Sequence, residues 1–181
     1  MRLRFLAPAA LLLFASRAPR AGAQEILIDQ WWAILLAGTQ VGTLHEHSTV
    51  EADGTLRTET LQQMAVLRYG QPFTVVQEDA WLEDEGVRSL RSRLNANGQQ
   101  QSLEARRTGS GLELRLERGG TESTMSLDAA GPLLGPALAG RAVAQMLSRG
   151  GSEPLSYLTF SPESLAVVRV EVLPLGKGEL Q

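Results

Sequence analysis

Residues 112 to 117 read LELRLE, with Leu112, Leu114 and Leu116 alternating with Glu113, Arg115 and Glu117. A side-chain period of two belongs to an extended strand and cannot be satisfied by a helix. It puts the leucines on a face that must be covered and the charges on a face that stays in water. Polar–apolar alternation of this kind recurs through the middle of the chain, interrupted about every 10 to 14 residues by turn signals. Asp53-Gly54, Gly70, Asn97-Gly98 and Gly119-Gly120 mark four of these turns. Asp-Gly and Asn-Gly pairs suit tight hairpins because both central residues need, or tolerate, positive φ. Strands are expected at 34–37, 41–51, 55–67, 73–82, 87–94, 99–107, 112–117 and 121–127. Successive hairpins of this length form an antiparallel meander with one solvated face.

The character changes at Asp128, where DAAGPLLGPALAG carries two Gly-Pro pairs and little charge. Pro136 suits the first turn of a helix, and Gly150-Gly151 suits its end, so one short helix is expected over 137–149. Strands at 155–160 and 166–173 follow. In the second of these Val168, Val170 and Val172 alternate with Arg169 and Glu171, which places the valines toward a core. A Gly-rich turn at 176–178 reads as the start of a further hairpin arm. The expected fold is mainly β (α+β): a curved antiparallel meander sheet or half-barrel with one short helix near the C-terminal third. Its domain spans 24–181, and the strand pattern reads as one interrupted at the C-terminus. The strand at 166–173 would then have an open edge for a missing domain or a protein partner.

Arg2 and Arg4 precede the apolar run Phe5–Ala15, and Ala21-Gly22-Ala23 offers an A-x-A cleavage site. That is the layout of a secretory signal over 1–23, with an uncleaved anchor as the alternative. The run is too short to span a bilayer as a helix. The segment holds four arginines and no acid, so 13 of the 17 basic residues remain against 20 acidic ones, a formal charge of −7. This net charge argues against nucleic acid as a partner and against adhesion to an anionic membrane surface. Without cysteine, disulfides, a lipidated cysteine, thiol catalysis and thiolate metal binding are all excluded. Export, to the bacterial periplasm, is the expected destination.

The order of features resembles the β-rich N-terminal region found before the catalytic domain of bacterial exported transglutaminase-like proteins. The residues that carry the resemblance are Trp31-Trp32 through Gly38 to Val41-Gly42, the long meander, and the Gly-Pro segment. The short helix and the closing Thr159-Phe160-Ser161-Pro162-Glu163 complete it. It covers roughly residues 25 to 175. In that family the chemistry lies in a later domain with a Cys-His-Asp triad, which needs a thiolate, a base and an orienting acid. No such triad can be assembled here, so the resemblance implies a non-catalytic accessory or interaction domain. The alternative is a periplasmic carrier of an apolar ligand such as a lipid or a lipoprotein acyl chain.

His45 and His47 would share one strand face, with Glu46 on the other. They are metal-ligand candidates only if a neighbouring strand supplies a third group, for which Glu59 is the nearest prospect. Otherwise they form a polar strand face. Trp31 and Trp32 must face opposite sides, so one is expected in the core and the other is an interface candidate. The stretch EDAWLEDEG, 78–86, could serve acid–base chemistry or calcium, but its spacing reads better as a solvated hairpin end. No motif calls for a cofactor.

Overall fold

The computed structural model describes residues 25–173 apart from 110, 151 and 152. Residues 1–23, expected to be a signal, and the turn expected at 176–178 lie outside the described residues. Eight strands form one antiparallel sheet in chain order and do not close on themselves. They are β1 (Glu25–Leu36), β2 (Thr39–Val50), β3 (Leu56–Arg68), β4 (Gln71–Glu83), β5 (Val87–Ala96), β6 (Gln99–Thr108), β7 (Gly111–Arg118) and β8 (Thr121–Asp128). Helix α1 (Pro136–Ser148) follows, then the antiparallel hairpin β9 (Leu155–Ser161) and β10 (Ala166–Val172). The expected meander and helix are present.

Two-residue turns make most of the connections. At Asn97-Gly98 both residues have positive φ, 53° and 87°. Such turns match the right-handed twist of the strands they join. Ala37-Gly38 turns the same way, with Ala37 at 51°. This moves the first turn N-terminal to the Gly-Thr-Gln position that composition suggests. It also accompanies a β1 far longer than the expected 34–37. The reason lies in its sequence, EILIDQWWAILL: apolar residues occupy both faces, so alternation does not reveal the strand.

Strand register sorts the sheet into two faces. The inner face of β4–β7 carries Trp81, Leu90, Leu103, Ala105, Leu112 and Leu114, all buried. Leu133, from the segment before α1, and Phe160, from β9, complete this core from above. A fully buried Leu or Phe contributes roughly 1.5–3 kcal/mol of transfer free energy, so this cluster is the main support of the fold. The covering layer is also tied by main chain: Val87 N–H donates to Leu133 O at 2.7 Å, and Leu134 N–H to Leu158 O at 2.8 Å.

The hairpin corrects one expectation. Val167, opposite Phe160, packs against the core. Val168, Val170 and Val172 lie on the other face and are half-buried. Arg169 and Glu171 stay exposed, as alternation predicts, but the contact with the core is made by Val167 and not by the three valines. Among the described residues β10 pairs only with β9.

Candidate functional site

β1 is a free edge of the large sheet among the described residues, pairing only with β2. It holds four of the exposed large apolar side chains: Ile26, Trp31, Leu35 and Leu36. Trp31 is 64% exposed. The opposite edge, β8, reads TESTMSLD and exposes Met125 alone among large apolar residues. The two edges therefore differ in kind. One is polar, and the other is twelve residues of largely apolar strand.

Register brings Trp31 opposite His45 and Asp29 opposite His47 on the outer face. The Trp31 and His45 rings stack, with centroids 4.3 Å apart and planes 9° from parallel. His45 Nε2–H donates to Asp29 Oδ1 at 2.8 Å, and His47 Nδ1 lies 3.9 Å from the same oxygen. The His45 hydrogen bond holds the Asp29 carboxyl below its ordinary value, against the opposing effect of desolvation. Trp32 faces the inner side beside Leu44 and is half-buried. The two tryptophans thus face opposite sides, and Trp31 is the exposed one.

The histidine pair acquires a carboxylate from β1, which sequence reasoning did not single out. Glu59, the expected third group, stands opposite His47 on β3 but instead receives Arg57 at 3.2 Å. Among the described residues no three His, Asp or Glu side chains are arranged to hold a metal ion. Asp29 was hard to find because the β1–β2 register that joins it to His47 depends on the turn at Ala37-Gly38.

The acidic stretch 78–86 is only partly the solvated end it resembles. β4 runs on to Glu83, whose side chain is fully buried. Its carboxylate accepts Ala137 N–H at 3.0 Å and Leu138 N–H at 3.1 Å, the orphan donors of the first turn of α1. Gly135, at the N-cap, has no side chain to do this, and a Cβ there would strike the Glu83 carboxyl. Burial pushes the Glu83 carboxyl up, while the helix amides and Arg141 pull it partly back. Asp79, on the same inner face, is also raised by burial; Ser92 and Gln77 lower it, and Glu163 raises it. Its Oδ1 is buried without a hydrogen-bond partner among the described residues. Glu83 thus ties the covering layer to the sheet, whereas Asp79 is held among Gln77, Ser92 and Glu163.

The grooves are open, and one of about 490 Å³ is lined largely by apolar residues, among them Val87, Leu112, Pro132 and Leu133. Another, of about 1050 Å³, lies over β4–β7 and is lined by residues such as Glu78, Arg93, Gln100 and Glu117. No protein-family profile, characterised protein or solved structure matches the chain. Among the described residues no helix is long and apolar enough to cross a membrane.

Proposed function

We propose that the chain is a non-catalytic, exported interaction domain of the kind that precedes transglutaminase-like catalytic domains, and that it engages its protein partner through β1. The observation that carries this reading is the free β1 edge with its exposed Ile26, Trp31, Leu35 and Leu36. An unpaired edge presents main-chain donors and acceptors that an added strand can use, and side-chain pockets then set specificity. Trp31, held against His45, is an ordered aromatic anchor of the type that dominates binding energy. The collapsed core beneath Phe160 and Leu133 favours this reading over an acyl-chain carrier, which needs an enclosed apolar-lined cavity.

The test is sedimentation of the chain with a transglutaminase-like catalytic domain from the same genome. A complex of micromolar or tighter affinity is expected, weakened at least about tenfold by Trp31→Glu. Saturable binding of a fluorescent fatty acid, with no protein complex, would overturn the proposal in favour of the carrier.

A further inference from the structure

On the outer face of the sheet, from β3 to β6, arginines gather in an otherwise acidic chain. Arg57, Arg91 and Arg106 of this face, with Arg88 and with Arg107, which stands opposite the core residue Leu112, line one open groove of about 570 Å³, with Glu104 the one acid in its lining. Register explains its shape. Arg57 stands opposite Leu82, Leu82 opposite Ser89, and Ser89 opposite Arg106. In the next row Ala80 stands opposite Arg91, and Arg91 opposite Glu104. Strands lie about 4.8 Å apart, so the Arg57 and Arg106 backbones are roughly 14 Å apart across a floor of shorter side chains.

A β-bulge adds the remaining arginine. Leu82 pairs with Ser89 but Glu83 pairs with Val87, so Arg88 is an extra residue without a partner position in the ladder. A bulge of this kind re-aims a side chain. Here it leaves Arg88 exposed and lining the groove while its neighbour Val87 stays in the core.

The arginines are not equally occupied. Arg107 grips Asp84 with both terminal nitrogens at 2.9 Å, and Arg57 holds Glu51 at 2.8 Å and Glu59 at 3.2 Å. Arg88, Arg91 and Arg106 are held loosely. Arg88 is 4.0 Å from Asp53, while Arg91 and Arg106 share the single carboxylate of Glu104 at 3.4 and 3.8 Å. Their side chains are 56%, 72% and 70% exposed. A guanidinium carries five N–H donors, so most of their donor capacity is uncommitted. Three loosely held cations approaching from two adjacent strands, with the Ser89 hydroxyl between them, suit a tetrahedral oxyanion better than a flat carboxylate. The net negative charge of the chain does not forbid this. At physiological salt, exposed charges beyond about 8 Å are largely screened, so local groups decide the field.

We propose that this groove binds a phosphate group through Arg88, Arg91 and Arg106. The phosphate comes either from a free phosphate compound or from an anionic lipid headgroup. The test uses the full chain at physiological ionic strength, titrated with inorganic phosphate by calorimetry, and floated with phosphatidylglycerol or phosphatidylcholine vesicles. Saturable phosphate binding is expected, at least about tenfold weaker in the Arg91→Ser/Arg106→Ser double variant and unchanged in Arg115→Ser, an arginine on the same face outside the groove. Thermal midpoints report folding of every variant, and Arg88→Gln provides a second, single-site loss. Flotation with phosphatidylglycerol alone, competed by phosphate, assigns the headgroup; phosphate binding without flotation assigns a free phosphate compound. Absence of both, or equal loss in Arg115→Ser, overturns the site.

Discussion

Glu83 shows how one side chain can join two layers. Its carboxylate is the N-terminal cap of α1 supplied from a strand. Glu83→Ala leaves two buried N–H groups without an acceptor and should destabilise the fold by about 1–3 kcal/mol in chemical denaturation. Glu83→Gln keeps one acceptor and should cost less. The pH dependence has a definite sign. Burial raises the folded-state carboxyl above its ordinary value, so between the two values the folded state binds the extra proton. The Glu83 contribution is therefore fully present below the ordinary value and falls as pH rises through the raised one. Asp79, raised by burial, acts in the same sense. Asp29, Asp53 and Asp84 are lowered and act oppositely, but they lie in solvent, where such contributions are screened. Stability should decline from acid toward neutral pH, and Glu83→Gln should flatten that slope. An unchanged slope would refute the assignment.

At the scale of elements, the structure separates strands that hold the core from strands that merely extend it. Phe160→Ala should cost about 3–5 kcal/mol, because Phe160 closes the core from the covering hairpin. Val168→Ala, on the other face of the same hairpin, should cost about 1 kcal/mol or less. Equal losses would contradict the facing of β9 and β10. Gly42→Ala should destabilise the β2–β3 pair by about 1–3 kcal/mol, since an added Cβ would meet the Gln63 carbonyl. Much of this level was legible in advance. The alternation of 112–117 and the Asn97-Gly98 turn locate strands through local chemistry alone. What stayed hidden depends on partners distant in sequence. The length of β1 was masked by its two apolar faces. Glu83 looked like one more acid at a turn because its partners are the amides of Ala137 and Leu138. The union of Asp29 with the two histidines needed the β1–β2 register, and the Arg88 bulge leaves no signature in composition.

For the molecule as a whole, the contrast between its edges matters most. β8 is polar, whereas β1 exposes apolar side chains along an edge that is open among the described residues. Without a partner, such an edge favours association with any strand at hand, including a second copy. Sedimentation of the chain alone should show reversible, concentration-dependent association, reduced by Trp31→Lys. A monodisperse species at all concentrations would count against β1 as the docking element.

The chain-order topology of the sheet has a further effect, on how the molecule comes apart. Each inner strand is bonded only to its neighbours in sequence, so stability passes along the sheet as it does along a stacked array of repeats. The covering layer clamps the strands from β4 onward through Trp81, Leu103 and Leu114, and β1 has one neighbour and no clamp from Phe160. Opening should therefore begin at β1 and advance strand by strand, giving a gradient of amide exchange rather than one global rate. Exchange should be fastest in β1, intermediate in β2 and slowest in β5 and β6. A chain built this way can leave its docking end loose while its centre remains folded, so a partner that adds a strand to β1 would slow exchange there first.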